Sequence, residues 1–377
     1  MTLVAKYSGF LAVCVLGTHM LHAQAPAQRP KEPRSPYLKL AEPWPDADKL
    51  QQRRAEAEAR PLFASHEPLA LTLTADFKAI NKDRSEGSPN RYPATLSLGA
   101  GGEPVVVTLG TRGHFRLRQA SCSWAPLRVE FSKKGTAGTP FEAQSSLKLV
   151  THCRDNDDFE QHVLREYLPY RIFGLVAPLA FRARLARINY VDVATGKPLT
   201  TRYGMFIEND DDVARRAEAR SIDMPRVPFK DLEAESLNVM MLFEYMIGNT
   251  DVSIVKVHNV KLMVNQARVI RPVPYDFDFS GLVDTPYANP DRRLGIASVT
   301  DRLYRGPCRT EAELAPALER FRAQKTAVLA LYDSLPDLTQ AYRKRARSYL
   351  EEFYSTIENK DRAKRAFIDG CEHGGGM

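Results

Sequence analysis

LALTLTADFKAI (69–80), RYPATLSL (91–98), EPVVVTLGTRGHFRL (103–117), APLRVEFSKK (125–134) and SSLKLVTHC (145–153) follow one another along the chain. Each run reads as a β-strand. GAGGEP (99–104) and KKGTAGTP (133–140) punctuate them as turns. Such a succession predicts an antiparallel, twisted sheet. DFEQHVLREYLPYRIFGL (158–175) then reads as a helix with acids in its first turn, a kink at Pro169 and Gly174 near its end. Two more strands follow, FRARLARINYVDV and RYGMFIEND, joined by an ATGKP turn. Beyond Asp212 the pattern is mostly helical: DLEAESLNVMMLFEYMI stops at Gly248, and TEAELAPALERFRAQKTAVLALYDSL opens with a capping-box pattern from Thr310 to Glu313. A β-rich half with one embedded helix, then a helical half, predicts an α+β chain of two lobes, 67–209 and 210–372.

The chain has 377 residues, 44% hydrophobic and 26% charged, so one large or two medium domains can bury a core. Residues 1–25 carry Lys6, an apolar run from Phe10 to Leu16 and small residues at Ala23 and Ala25, the plan of a secretory signal. No later stretch approaches the about 20 apolar residues of a transmembrane helix. Export to a periplasmic or extracellular space is the expectation. Residues 26–66, rich in Pro, Ala and charge, read as a leader or linker with a short helix near Lys49–Ala59. Once Cys14 leaves with the signal, Cys122, Cys153, Cys308 and Cys371 remain, an even set suited to disulfides. Four cysteines permit three pairings. The shortest loop joins Cys122 to Cys153 and leaves Cys308 for Cys371. The formal charge of +7 and a pI near 9.1 favour anionic partners without choosing among them.

The chemistry concentrates between Gly248 and Gly281: GNTDVSIVKVHNVKLM (248–263), a spacer, then PVPYDFDFSG (272–281). Asp276, Phe277, Asp278 and Phe279 alternate, which on a strand sends both rings to a core and both carboxylates to the other face, roughly 7 Å apart. Two acids so close favour a hard divalent cation. A solvated strand face produces the same spelling. Asp251 follows a helix end, where turn aspartates are common; His258-Asn259 fits a ligand pair or a structural one. Their order, a carboxylate, then an amide, then a carboxylate, is that in which phosphate-transfer sites assemble base and metal.

Upstream, Lys148 lies between Leu147 and Leu149 and so points away from a core. Glu166, on the next helix, can return against that strand as an ion-pair partner. Arg112, His114, Arg116 and Arg118 share one strand face by period two, either a phosphate cradle or a solvated basic face. GxGxxG, GxxxxGK[ST], GxSxG and HExxH are absent, which removes Rossmann, P-loop, α/β-hydrolase and zincin readings.

In ordered sequence, SLKLVTH, EYLPYRIFGLVAPLAFRARLARINY, YGMFIEND, GNTD with HN, and VPYDFDFSG resemble the spore coat protein H (CotH) kinase-like family of secreted atypical kinases. The resemblance spans about Ser145 to Gly281. It implies a two-lobed protein-kinase-like architecture, with ATP or another nucleotide and Mg²⁺ or Mn²⁺ between a β-rich N-lobe and a helical C-lobe. It implies Lys148 as the nucleotide-phosphate lysine, Glu166 as its helix partner, and Arg112 in place of the family's glycine-rich element. It further implies Asp251 as the catalytic aspartate, with Asn259 and Asp276 as metal ligands beside Asp278. The acceptor would be a protein Ser/Thr or a carbohydrate hydroxyl, with no nucleic acid expected. Thr250 before Asp251 and Val252-Ser253 after it depart from the family's pattern. A catalytically degenerate envelope-binding protein is therefore the alternative, and a metal-dependent hydrolase a third reading.

Overall fold

Leu71, Leu73 and Ala75 of β1 (Leu69–Ala75) are buried while the residues between them are not, and β4 (Leu127–Phe131) alternates likewise. In the computed structural model, which describes residue 2 and residues 36–99, 101–132 and 135–372, this alternation lines the inside of a barrel. The expected signal segment lies outside the described residues, apart from residue 2. Before the barrel, α1 (Pro36–Ala41) and α2 (Ala47–Glu58) precede β1, and α3 (Phe77–Ile80) follows it. The remaining staves are β2 (Tyr92–Leu98), β3 (Val105–Thr111), β5 (Ser146–Val150), β6 (Ala183–Asp192) and β7 (Pro198–Ile207). Their order is β1-β2-β3-β4-β5-β7-β6, all antiparallel except the closing pair, in which β1 runs parallel to β6 from Leu69↔Ala186 to Ala75↔Asp192. Leu96, Val107, Val129, Leu149, Ile188 and Phe206 fill the interior with the buried residues of β1.

Between β5 and β6 the chain makes α4 (Asp157–Val176), capped by Asn156, whose side chain accepts from Phe159 N–H at 2.9 Å. The helix runs unbroken through Pro169. After β7 come α5 (Asp210–Arg216), β8 (Ala219–Ile222), α6 (Ala234–Ile247), β9 (Val260–Asn265), β10 (Ile270–Pro274), α7 (Glu311–Ala330), α8 (Gln340–Glu358) and α9 (Lys360–Lys364). β10-β9-β8 form a separate antiparallel sheet, and the capping box at Thr310–Glu313 is made as expected.

The two-lobed, kinase-like expectation is overturned. The β-rich part is a closed seven-stranded mixed barrel, and the described residues from Pro36 onward belong to one compact unit. The reason lies in β6 and β7, which are apolar on both faces. Ala186, Ile188 and Phe206 point into the barrel, whereas Leu185, Met205 and Ile207 join the core built by α4, α6, α7 and α8. A sheet wall packed on both sides binds the two halves together.

The segment before the barrel packs on this body. Ala57 and Leu62 are fully buried, Arg60 pairs with Asp212 at 3.0 Å, and Arg220 lies 4.0 Å from the Trp44 ring centre. The disulfides are Cys122–Cys153 and Cys308–Cys371, and no helix among the described residues is long and apolar enough to cross a membrane. The disulfides fit an exported protein.

Two measurements follow from this packing. Cys122 and Cys153 are buried and close a loop of 31 residues, so replacing both by serine should cost about 3–4 kcal/mol, read as a lower urea midpoint. His152 is fully buried between Trp124 and Tyr190, and burial pushes its pKa down to about 3. A depressed histidine contributes stability that is complete above pH ~6.5 and is lost as pH falls toward 3. Wild type should therefore lose roughly 2 kcal/mol more than His152→Phe between pH 7 and pH 5. Parallel melting curves would refute this.

Candidate active site

α6 ends at Gly248, whose φ of +65° closes the helix and where an added Cβ would lie 2.1 Å from Tyr349 Oη. The chain then turns tightly. Asn249 N–H donates to Glu244 O at 2.8 Å, and Asn249 Oδ1 accepts from Asp251 N–H at 3.1 Å. Both oxygens of the Asp251 carboxylate are engaged: His258 Nε2 stands 3.1 Å from Oδ1, and Asn259 Nδ2 donates to Oδ2 at 3.1 Å. Asn259 Nδ2 also reaches Asp251 O at 2.7 Å, and its own backbone is left-handed, φ +54°. An asparagine tolerates that conformation better than most residues. Asp251 opens onto a cavity of about 180 Å³ that it shares with Ser253, Lys256, His258, Phe279 and Arg293.

The Asp276–Asp278 pair is not on a strand. β10 stops at Pro274, and Asp276 takes φ +65°, which breaks the alternation. Tyr275 N–H donates to Asn259 O at 3.0 Å, Gly281 N–H to Gly248 O at 3.0 Å, and Asp276 N–H to Tyr170 Oη at 2.9 Å. These bonds join the two halves of the Gly248–Gly281 segment. Phe277 is fully buried against Tyr170 and Phe243, whereas Phe279 turns the other way, onto Phe115 and Tyr287. Asp278 is 5% exposed and accepts from Tyr287 Oη at 2.9 Å.

The barrel supplies the opposite charges. β3 ends at Thr111, so Arg112 to Arg118 form a loop with one 3-10 turn rather than a basic strand face. His114 goes to the surface with Glu86, 2.8 Å away, while Arg116 turns inward, 3.9 Å from Glu166 and bonded to Thr151 O. Arg112 is half-buried, and its charge acts on both Lys148 and Glu166. Lys148 and Glu166 have different partners, contrary to the expected pair. Lys148 Nζ contacts Asp210 at 2.7 Å and stands 4.5 Å from the Tyr275 ring centre. Asp210 is shared with Lys261 at 3.3 Å. Burial lowers the Lys148 pKa against the pull of Asp210.

Glu166 is 2% exposed and its Oε1 meets no hydrogen-bond donor. Burial, then the charges of Asp278 and Asp276, push its pKa well up; burial and Asp276 push Asp278 up to about 7, against Arg116 and Tyr287. Three carboxylates thus crowd one guanidinium. Among the described residues no three His, Cys, Asp or Glu side chains converge to hold an ion by themselves. Mg²⁺ needs less than that, since it commonly takes one or two carboxylates plus substrate phosphates and water. The donors at hand, Asp276, Asp278 and the Asn259 amide, are of the oxygen type such a cation selects.

No protein-family model and no curated protein matches this chain. The site's own chemistry therefore carries the functional reading. Of the residues singled out from sequence, Asp251 with Asn259, and Glu166 with Asp276 and Asp278, come together; Lys148 is tied to Asp210. Arg116, Tyr170, Asp210 and Tyr287 were not foreseen in these roles. Tyr170, one turn after Glu166 on the same helix face, carried a spacing signal; Asp210 and Tyr287 carried none.

The raised pKa of Asp278 gives a stability contribution that is present in acid and is lost as pH rises through about 7. Asp278→Asn should accordingly melt several degrees above wild type at pH 8, with a gap that narrows as pH falls and closes only toward the ordinary aspartate value of about 4, by scanning fluorimetry. A variant that melts lower at pH 8 would contradict the charge crowding.

Proposed function

We propose that this protein is an exported phosphotransferase that moves a phosphoryl group from ATP or another nucleotide to a hydroxyl of an envelope protein or glycan. The observation that carries this reading is Glu166 held 3.9 Å from a buried Arg116, with the charges of Asp276 and Asp278 acting on both, and Asp251 presented to a cavity that Phe279, the neighbour of Asp278, also lines. Phosphoryl transfer depends mainly on positioning and on charge stabilisation, and both kinds of group stand here side by side. Arg112 and Arg116 are suited to phosphate oxygens, Arg116 by its buried guanidinium. Asp276 and Asp278, with Asn259, would hold Mg²⁺ or Mn²⁺, which when bound shields the negative charge of the phosphates. Asp251, fixed through both carboxylate oxygens, would orient the acceptor hydroxyl and take its proton.

The resemblance of the ordered motifs to the spore coat protein H family is in keeping with the same chemistry, on a closed barrel rather than the two-lobed architecture that the resemblance implied. Two disulfides fit the oxidising side of a membrane, where the acceptors named above are found. One observation favours binding without transfer: Lys148 is already neutralised by Asp210 rather than free to meet a phosphate.

A melting-temperature scan with nucleoside triphosphates and Mg²⁺ or Mn²⁺ tests the reading. Wild type should be stabilised by nucleotide and metal together, and Asp276→Ala should lose that shift. Asp251→Asn should keep the shift yet lose at least about 100-fold in transfer rate. The absence of any nucleotide-dependent shift with either metal would sink the proposal. A shift retained by wild type with no transfer to protein or glycan would favour the binding role.

A further inference from the structure

The turn that carries Asp251 is gripped from a distant part of the chain. Arg305 Nη1 donates at 2.9 Å to Thr250 O and at 2.9 Å to Val252 O, the two carbonyls that flank Asp251. One guanidinium thereby fixes the peptide plane before Asp251 and the one after Val252, with Asp251 O between them held by Asn259 Nδ2, and so restrains the direction in which the Asp251 side chain leaves the backbone. Arg305 is largely buried, and peptide carbonyls do not offset a buried charge. Glu372 does so, with Oε1 at 3.2 Å from Arg305 Nε. Glu372 is in turn tied to the segment that carries Arg305. Its N–H donates to Gly306 O at 3.0 Å, it forms a parallel bridge with Pro307, and its neighbour Cys371 is joined to Cys308. Arg305 and Glu372 also line the cavity onto which Asp251 opens.

We infer that Arg305 is the positioning residue of Asp251, and that Glu372, anchored by the Cys308–Cys371 disulfide, keeps it in place. The inference rests on the phosphotransferase reading for its catalytic consequence, but not for its structural one. Reduction by a dithiol converts the disulfide to two thiols and the dithiol to its own disulfide, and it releases the Glu372 end of the clamp. Arg305 is then less firmly held, and the turn relies more on its contacts from Asn249, His258 and Asn259. Misplacement of a catalytic group by about 1 Å costs on the order of 100-fold in rate.

Hydrogen exchange and transfer kinetics on the full chain separate the two levels. In Arg305→Met, amides 250–253 should exchange faster and kcat should fall about 100-fold, with the nucleotide-dependent melting shift unchanged. Arg305→Lys should recover part of the rate. Glu372→Gln and the Cys308→Ser/Cys371→Ser pair should move in the same direction by smaller steps, and they keep the test open if Arg305→Met fails to fold. Wild-type exchange at 250–253 in these variants would overturn the clamp, as would a parallel loss of nucleotide binding, which marks general loosening. If wild type transfers no phosphate, the phosphotransferase reading falls, while the exchange comparison still decides the clamp.

Discussion

The parallel pairing of Leu69–Ala75 with Ala186–Asp192 is the contact on which the rest of the molecule depends. It joins strands more than a hundred residues apart, and its closure removes both edges of the sheet at once. An open sheet edge exposes a row of unpaired backbone groups; a barrel leaves none. Closure also decides what lies outside. With β7 inserted between β5 and β6, the outer faces of β6 and β7 become a floor for α4 and the C-terminal helices. That floor fixes α4, and α4 brings Glu166 and Tyr170 to the Asp276 turn.

The site is a departure from the regularity around it. Asp276, Asn259 and Val257 all take positive φ, and such strain persists where surrounding structure over-determines it. Here the surroundings can be named: Phe277 wedged between Tyr170 and Phe243, the backbone bonds from Tyr275 to Asn259 and from Gly281 to Gly248, and the Asn259 amide on Asp251. The buried acids Glu166 and Asp278 oppose folding when both are ionised, with Arg116 as a partial counter-charge. Natural folds tolerate such a cost chiefly at functional sites.

The disulfides stabilise the two ends of this arrangement separately. Cys122–Cys153 ties the end of β5 to the loop after β3, near the turn from which Arg116 points inward. Cys308–Cys371 ties the last described residues to the segment that holds the Asp251 turn. Each covalent link thus lies next to one half of the charged cluster. An exported chain gains from this, since in an oxidising space the links persist.

Local rules in the sequence determined the elements. Strand-like runs between turn signals marked β1 to β7, Gly248 marked the end of α6, and Thr310–Glu313 marked the start of α7; the cysteines left three pairings open, of which the shortest-loop guess is the one observed. The candidate acids were legible as well, because residue type and order survive folding. Closure was not legible. Nothing in Leu69–Ala75 states that its partner is β6, and a strand apolar on both faces reads the same in an open lobe as in a barrel wall. Side-chain partnership was equally hidden: Lys148 found Asp210 and Glu166 found Arg116 because the barrel turned β5 and the loop after β3 toward different neighbours. Periodicity is a property of neighbours along the chain, whereas closure and charge pairing are properties of neighbours in space, and only the tertiary structure brings those together.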